Sequence, residues 1–78
     1  MPTVLNEDGF QYIIFTKDHP PAHVHVKHGD NAARIQLVPV AVMDSFGFNS
    51  RELNKILLLT RENQQLLLEV WDSFHPVR

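Results

Sequence analysis

The chain contains no cysteine. That excludes disulfide staples and thiolate zinc sites, and it fits a reducing, cytoplasmic setting. Long apolar runs are missing too. The longest, ILLL (Ile56–Leu59) and VPVAVM (Val38–Met43), fall far short of the ~20 residues that span a bilayer, so no membrane association is expected. The first ten residues, MPTVLNEDGF, show no basic segment followed by an apolar stretch, and no secretory signal is expected. An excess of charge of one sign is also lacking. A formal net charge of −2 is too small to hold nucleic acid by bulk electrostatics, so any such contact needs a local patch.

What the chain does have is enough apolar material for a core: 44% of its 78 residues. One ordered domain, residues 1–78, is expected. A chain this short buries only roughly 60% of its unfolded surface, so its stability margin is small.

The character of the chain changes once. Up to about residue 43 it reads as strands and turns, and from about residue 50 to 75 as helix. TVL (Thr3–Leu5) is a short β-rich piece and NEDG (Asn6–Gly9) a turn. FQYIIFT (Phe10–Thr16) is aromatic and β-branched, apolar on both faces as a central strand would be. KDHPPA breaks the pattern with two prolines. HVHVKH (His23–His28) and AARIQLV (Ala32–Val38) alternate apolar with polar, and VAVM after Pro39 reads as a short last strand.

Gly29-Asp30 suits a two-residue type II′ turn. It sets His28 against Asn31, Val26 against Ala33, His25 against Arg34, Val24 against Ile35 and His23 against Gln36. Val24, Val26, Ala33, Ile35 and Leu37 then share one face, and His23, His25, Lys27, Arg34 and Gln36 the other. A one-residue slip would mix the two sets, which is what favours this register.

In the helical half, Asn49 with Glu52 three residues on is a capping box. Leu53, Ile56, Leu57 and Thr60 follow at helical spacing, and Leu67, Val70, Trp71 and Phe74 repeat it. One unbroken helix from Ser50 to Phe74 would be about 37 Å long, more than a domain of this size accommodates, so a break is expected within Arg61–Gln65. His75-Pro76 ends the second helix. The expected fold is α+β: a small, mostly antiparallel sheet of three to five strands followed by two C-terminal helices packed on one face. Leu58, Leu59, Leu66 and Leu68 exceed what one core stripe needs. They belong either to a broad buried face or to a contact surface for a second chain, a copy of this one or a different protein.

Four of the five histidines fall within KDHPPAHVHVKHGD, Lys17 to Asp30. Several chemistries compete for them. On a strand, residues i and i+2 point the same way, so His23 and His25 can converge on one ion. A divalent transition metal such as zinc needs a third protein ligand, which His19 or Asp18 can supply. His28 lies on the wrong face unless the strand bulges at its end. Histidine-triad nucleotide chemistry fails because Lys27 stands where a third histidine is required. An RNA-cleaving face is a further reading: His23 and His25 as acid and base, Arg34 and Lys27 against phosphate, Tyr12 joining if its face lies on that side, with no cofactor. As an enzyme, the chain would then be a metal-independent ribonuclease. The plainest reading is a half-exposed strand whose wet face holds imidazoles and does no chemistry. Trp71 and Phe74 read as core or interface anchors.

The run DHPPAHVHV with a later GD, and the late segment RENQQLLLEVWDSF, resemble a family of small bacterial proteins catalogued as domain of unknown function 4160. The motif falls on Asp18, His19, Pro21, His23, Val24, His25 and Val26, and Ala22 stands where the family usually has a further proline. The resemblance implies a small protein encoded beside a second small protein, in gene pairs regarded as toxin–antitoxin-like. It therefore implies a protein partner, and RNA as a target if this is the toxin-like member.

Overall fold

A computed structural model describes residues 3–75. Five antiparallel strands form one sheet in the order β1-β2-β3-β4-β5, followed by two helices. The strands are β1 (Thr3–Glu7), β2 (Phe10–Ile13), β3 (His23–His28), β4 (Asn31–Leu37) and β5 (Val40–Phe46). The helices are α1 (Ser50–Glu62) and α2 (Gln64–Phe74). Among the described residues, no helix is long and apolar enough to cross a membrane.

Each strand pairs with its sequence neighbour, so every connection within the sheet is short or looped and none crosses over. The β1–β2 turn is Asp8-Gly9, both at positive φ (53° and 84°) as a type I′ hairpin requires. The strand β1 therefore runs two residues further than its apolar stretch suggests. The β3–β4 register is the one expected, with His25 opposite Arg34 and Val24 opposite Ile35. Gly29 at its turn has φ 61°. Val38-Pro39 is a two-residue turn, not an interruption, and β5 runs seven residues beyond it. Met43 is an extra residue in β5, because Arg34 pairs with Asp44 while the next residue, Ile35, pairs with Val42. β2 stops at Ile13, earlier than its composition suggests, and the chain then enters the loop to β3.

The inner face of the sheet carries Phe10, Tyr12, Val24, Val26, Ala33, Ile35 and Leu37, all buried. Ile14, Ile56, Leu59, Leu67 and Trp71 complete the core, with Leu53, Leu57, Leu68, Val70 and Phe74 packed at its rim. Tyr12 is thus a core residue and takes no part in the outward face. Its hydroxyl donates to the carbonyl of Ile56 (3.0 Å) and lies 3.2 Å from Thr60 Oγ1. Burial pushes the phenol above its ordinary pKa, which keeps it a neutral donor.

Asn49 caps α1: its side chain accepts from Glu52 N (2.8 Å), and Glu52 Oε1 accepts from Asn49 N (3.0 Å). Asn49→Ala is expected to cost about 1 kcal/mol of stability, read from the urea midpoint. The helical half breaks at Asn63 (φ −114°, ψ 15°), inside the expected window. Its side chain donates back to the carbonyl of Leu59 (2.8 Å), and Gln64 Nε2 donates to the carbonyl of Leu37 (2.6 Å), fixing the junction to the end of β4. α2 ends at Phe74 with His75 as C-cap; Pro76, like Met1 and Pro2, lies outside the described residues. Of the surplus leucines, Leu59 is buried and Leu68 packs on the core, while Leu58 and Leu66 are exposed.

Candidate functional site

The loop between β2 and β3 brings the chemistry together. Its two prolines have no N–H to offer a ladder, so the chain leaves the sheet and returns at His23. Two backbone bonds hold its ends: Asp18 N donates to Phe15 O (3.3 Å), and Leu37 N donates to Ala22 O (2.9 Å). Asp18 is thereby placed against the outward side of β3, where His23 and His25 stand two residues apart with ring centroids 5.2 Å from each other.

One carboxylate oxygen, Asp18 Oδ2, faces both imidazoles. It lies 3.0 Å from His25 Nε2 and 3.5 Å from His23 Nε2. The donor atoms of all three residues lie within 4.8 Å of one another. His23 Nδ1 is 2.9 Å from the carbonyl of Pro21, which can only accept, so Nδ1 carries the proton. In the neutral ring Nε2 is then a bare lone pair facing a carboxylate. The 3.5 Å separation is also too long for a good hydrogen bond. His25 Nε2–H does donate to Asp18. Burial holds the His25 imidazole below its ordinary pKa, outweighing the opposite pull of Asp18, so it stands neutral at pH 7.

His23 is 4% exposed, which overturns the expectation that it lies on a wet face. Trp71 of α2 lies against it, with ring centroids 5.3 Å apart. Strand alternation sets which way a side chain points, and says nothing of what lies over it. At the start of β3 the Trp71 ring and the β2–β3 loop lie against the His23 side chain. His25 keeps partial exposure, edge-on to Phe15 at 4.6 Å. Of the two imidazoles read as an acid and base pair, only His25 therefore reaches solvent. His19 is exposed and outside the cluster, and Asp18 supplies the third donor instead. His28 donates through Nδ1 to the carbonyl of Gly9 (2.9 Å), away from the cluster.

Arg34 does share the outward face with His25, directly across the strand pair, and Lys27 stands two residues along β3 on the same side. The guanidinium is not free. Nε donates to both carboxylate oxygens of Asp44 on β5 (3.2 and 3.0 Å), and Nη2 donates to Oδ2. That partner holds Asp44 below its ordinary pKa. Nothing in the sequence marks Asp44 as a partner of Arg34, because the apolar run VAVM ends at Met43. A groove of about 450 Å³ runs from His25 past Arg34 and Asp44 to Phe46, floored by Ala32.

Three donors of this kind suit one ion. Ligands on a tetrahedral centre with bonds of 2.0–2.2 Å stand about 3.4 Å apart; the two His–Asp separations, 3.0 and 3.5 Å, bracket that, and the two imidazole nitrogens lie within 4.8 Å of each other. Two histidines and one carboxylate are a recurring set for zinc, iron(II) and cobalt(II). The Pro21 carbonyl fixes the His23 tautomer, as outer partners of metal-bound imidazoles do.

No curated protein and no solved structure matches the chain. A protein family does, over residues 9–72, a stretch that contains Asp18, His23, His25, Arg34 and both helices' core positions. By that match the chain belongs to the family described as Domain of unknown function (DUF4160).

Proposed function

We propose that this chain binds one divalent transition-metal ion through Asp18 Oδ2, His23 Nε2 and His25 Nε2. One observation supports the reading above all: three electron-pair donors, Asp18 Oδ2, His23 Nε2 and His25 Nε2, converge within 4.8 Å of one another. A lone pair on a largely buried imidazole facing a carboxylate is repulsive unless a cation stands between them. An ion satisfies all three donors at once and clasps the β2–β3 loop to β3.

The test uses the chain's single tryptophan. Trp71 lies beside His23, so a paramagnetic ion such as Co²⁺ should quench its fluorescence. In tag-free protein the quenching should saturate at one ion per chain. A trace that stays flat to millimolar Co²⁺ contradicts the reading.

A second reading, partner binding, draws on a different observation. β5 is an edge strand exposed on both faces, with Phe46 at 72% and with Val42 and Met43 partly uncovered. Its sequence, VAVMDSF, holds no lysine or proline to discourage pairing. Only the bulge at Met43 interrupts it. An extended strand of a partner protein can add to such an edge. The partner this reading names is the small protein encoded by the neighbouring gene, as in a toxin–antitoxin-like pair. Co-expression with that protein should give one co-eluting complex, and Phe46→Glu should weaken it about tenfold or more. Unchanged affinity in that variant removes β5 from the interface. RNA would be met by Lys27, Arg34 and a metal-loaded cluster, since His23 is covered.

A further inference from the structure

We infer that the outward groove beside the cluster is a metal-dependent site for a phosphoryl oxyanion, held between an ion at Asp18, His23 and His25 and the guanidinium of Arg34. This inference rests on the metal reading above and names what that centre takes as a ligand.

Three protein donors leave a tetrahedral ion one position for an outside ligand. His23 is buried, while Asp18 and His25 keep partial exposure, so that position opens on the His25 side. His25 also lines the groove, and Arg34 is its neighbour across the strand pair. An anion bound at the ion therefore lies next to the guanidinium. The bonds to Asp44 use Nε and Nη2 and hold the group in one orientation. A guanidinium has five donors, so others remain for a ligand.

Charge makes the site conditional. Asp18, Lys27, Arg34 and Asp44, the charged side chains brought to this face, cancel. Without an ion, the charges of Asp18 and Asp44 offset those of the two cations. A divalent ion leaves two positive charges, which matches a phosphoryl group near −2 better than a carboxylate at −1. Ala32 keeps the groove floor low. The exposed ring of Phe46 borders it and offers an apolar surface to whatever the phosphate carries.

The test loads tag-free protein with Co²⁺ and adds inorganic phosphate, with acetate as the competing oxyanion. The visible Co²⁺ spectrum reports the metal, and ³¹P line broadening reports phosphate beside it. Phosphate should perturb the spectrum and be broadened, acetate should bind more weakly, and metal-free protein should show no phosphate binding at the same concentrations. Arg34→Gln is a surface change. It should keep the Co²⁺ spectrum and affinity while weakening phosphate about tenfold, the loss of one charge-assisted contact. The inference is overturned if Arg34→Gln binds phosphate as the parent does, if acetate binds as tightly, or if metal-free protein binds phosphate equally well. The metal reading stands in each of those cases. Wild-type protein that gives no Co²⁺ spectrum sinks the metal reading and this inference with it.

Discussion

Asp18→Asn and His25→Ala should each lower Co²⁺ or Zn²⁺ affinity about a hundredfold or more, because each removes one of three protein ligands. His23→Ala should do the same and also loosen the end of β3, since its ring packs on Trp71. His19→Ala is the control and should leave affinity unchanged, because His19 lies outside the cluster. The pattern across the four variants matters more than any single value. If His19→Ala falls with the others, the loop holds a different ligand set. If Asp18→Asn binds as the parent does, the carboxylate serves only to orient His25. Circular dichroism on each variant separates lost ligation from lost fold.

Leu67→Ala should cost about 2–5 kcal/mol, the range for a leucine removed from a closed core. Leu67 is fully buried and seats α2 against the sheet. A domain of this length has a total stability of roughly 4–12 kcal/mol, so the variant should lose a large fraction of it. Urea titration followed by Trp71 fluorescence measures the loss, with chelator present so that no ion contributes. A cost below about 1 kcal/mol would mean that α2 is not firmly packed. The same assay shows the linkage between the ion and the fold. Zn²⁺ at about 100 times its Kd should add about 2.7 kcal/mol to the parent. The His23→Ala variant should gain far less.

Much of the architecture is legible in the residues themselves. The β3–β4 register follows from alternation plus one glycine turn, and it holds pair by pair from His23–Gln36 to His28–Asn31. The capping box at Asn49 and the break near Asn63 also follow from local chemistry and length. These features are local: each depends on residues close in sequence, or on a period that only one register satisfies. What the residues do not reveal is coverage. His23 alternates like a wet-face residue, yet α2, nearly fifty residues later, lies over it. Tyr12 is ambiguous for the same reason, since a strand apolar on both sides does not announce which side meets the helices. The full length of β5 is hidden by Asp44 and Ser45, polar residues that look like the end of a strand. Which residue supplies the third donor is not legible either. Asp18 and His19 are adjacent, and only the path of the loop decides between them.

Anomalous diffraction at the zinc edge, from crystals of tag-free protein grown with Zn²⁺, tests the metal centre most directly. One strong peak per chain is expected within bonding distance, about 2.0–2.2 Å, of Asp18 Oδ2, His23 Nε2 and His25 Nε2. A peak seated instead on His19 or His28, or no peak while the two imidazoles stay clasped to Asp18, would contradict it.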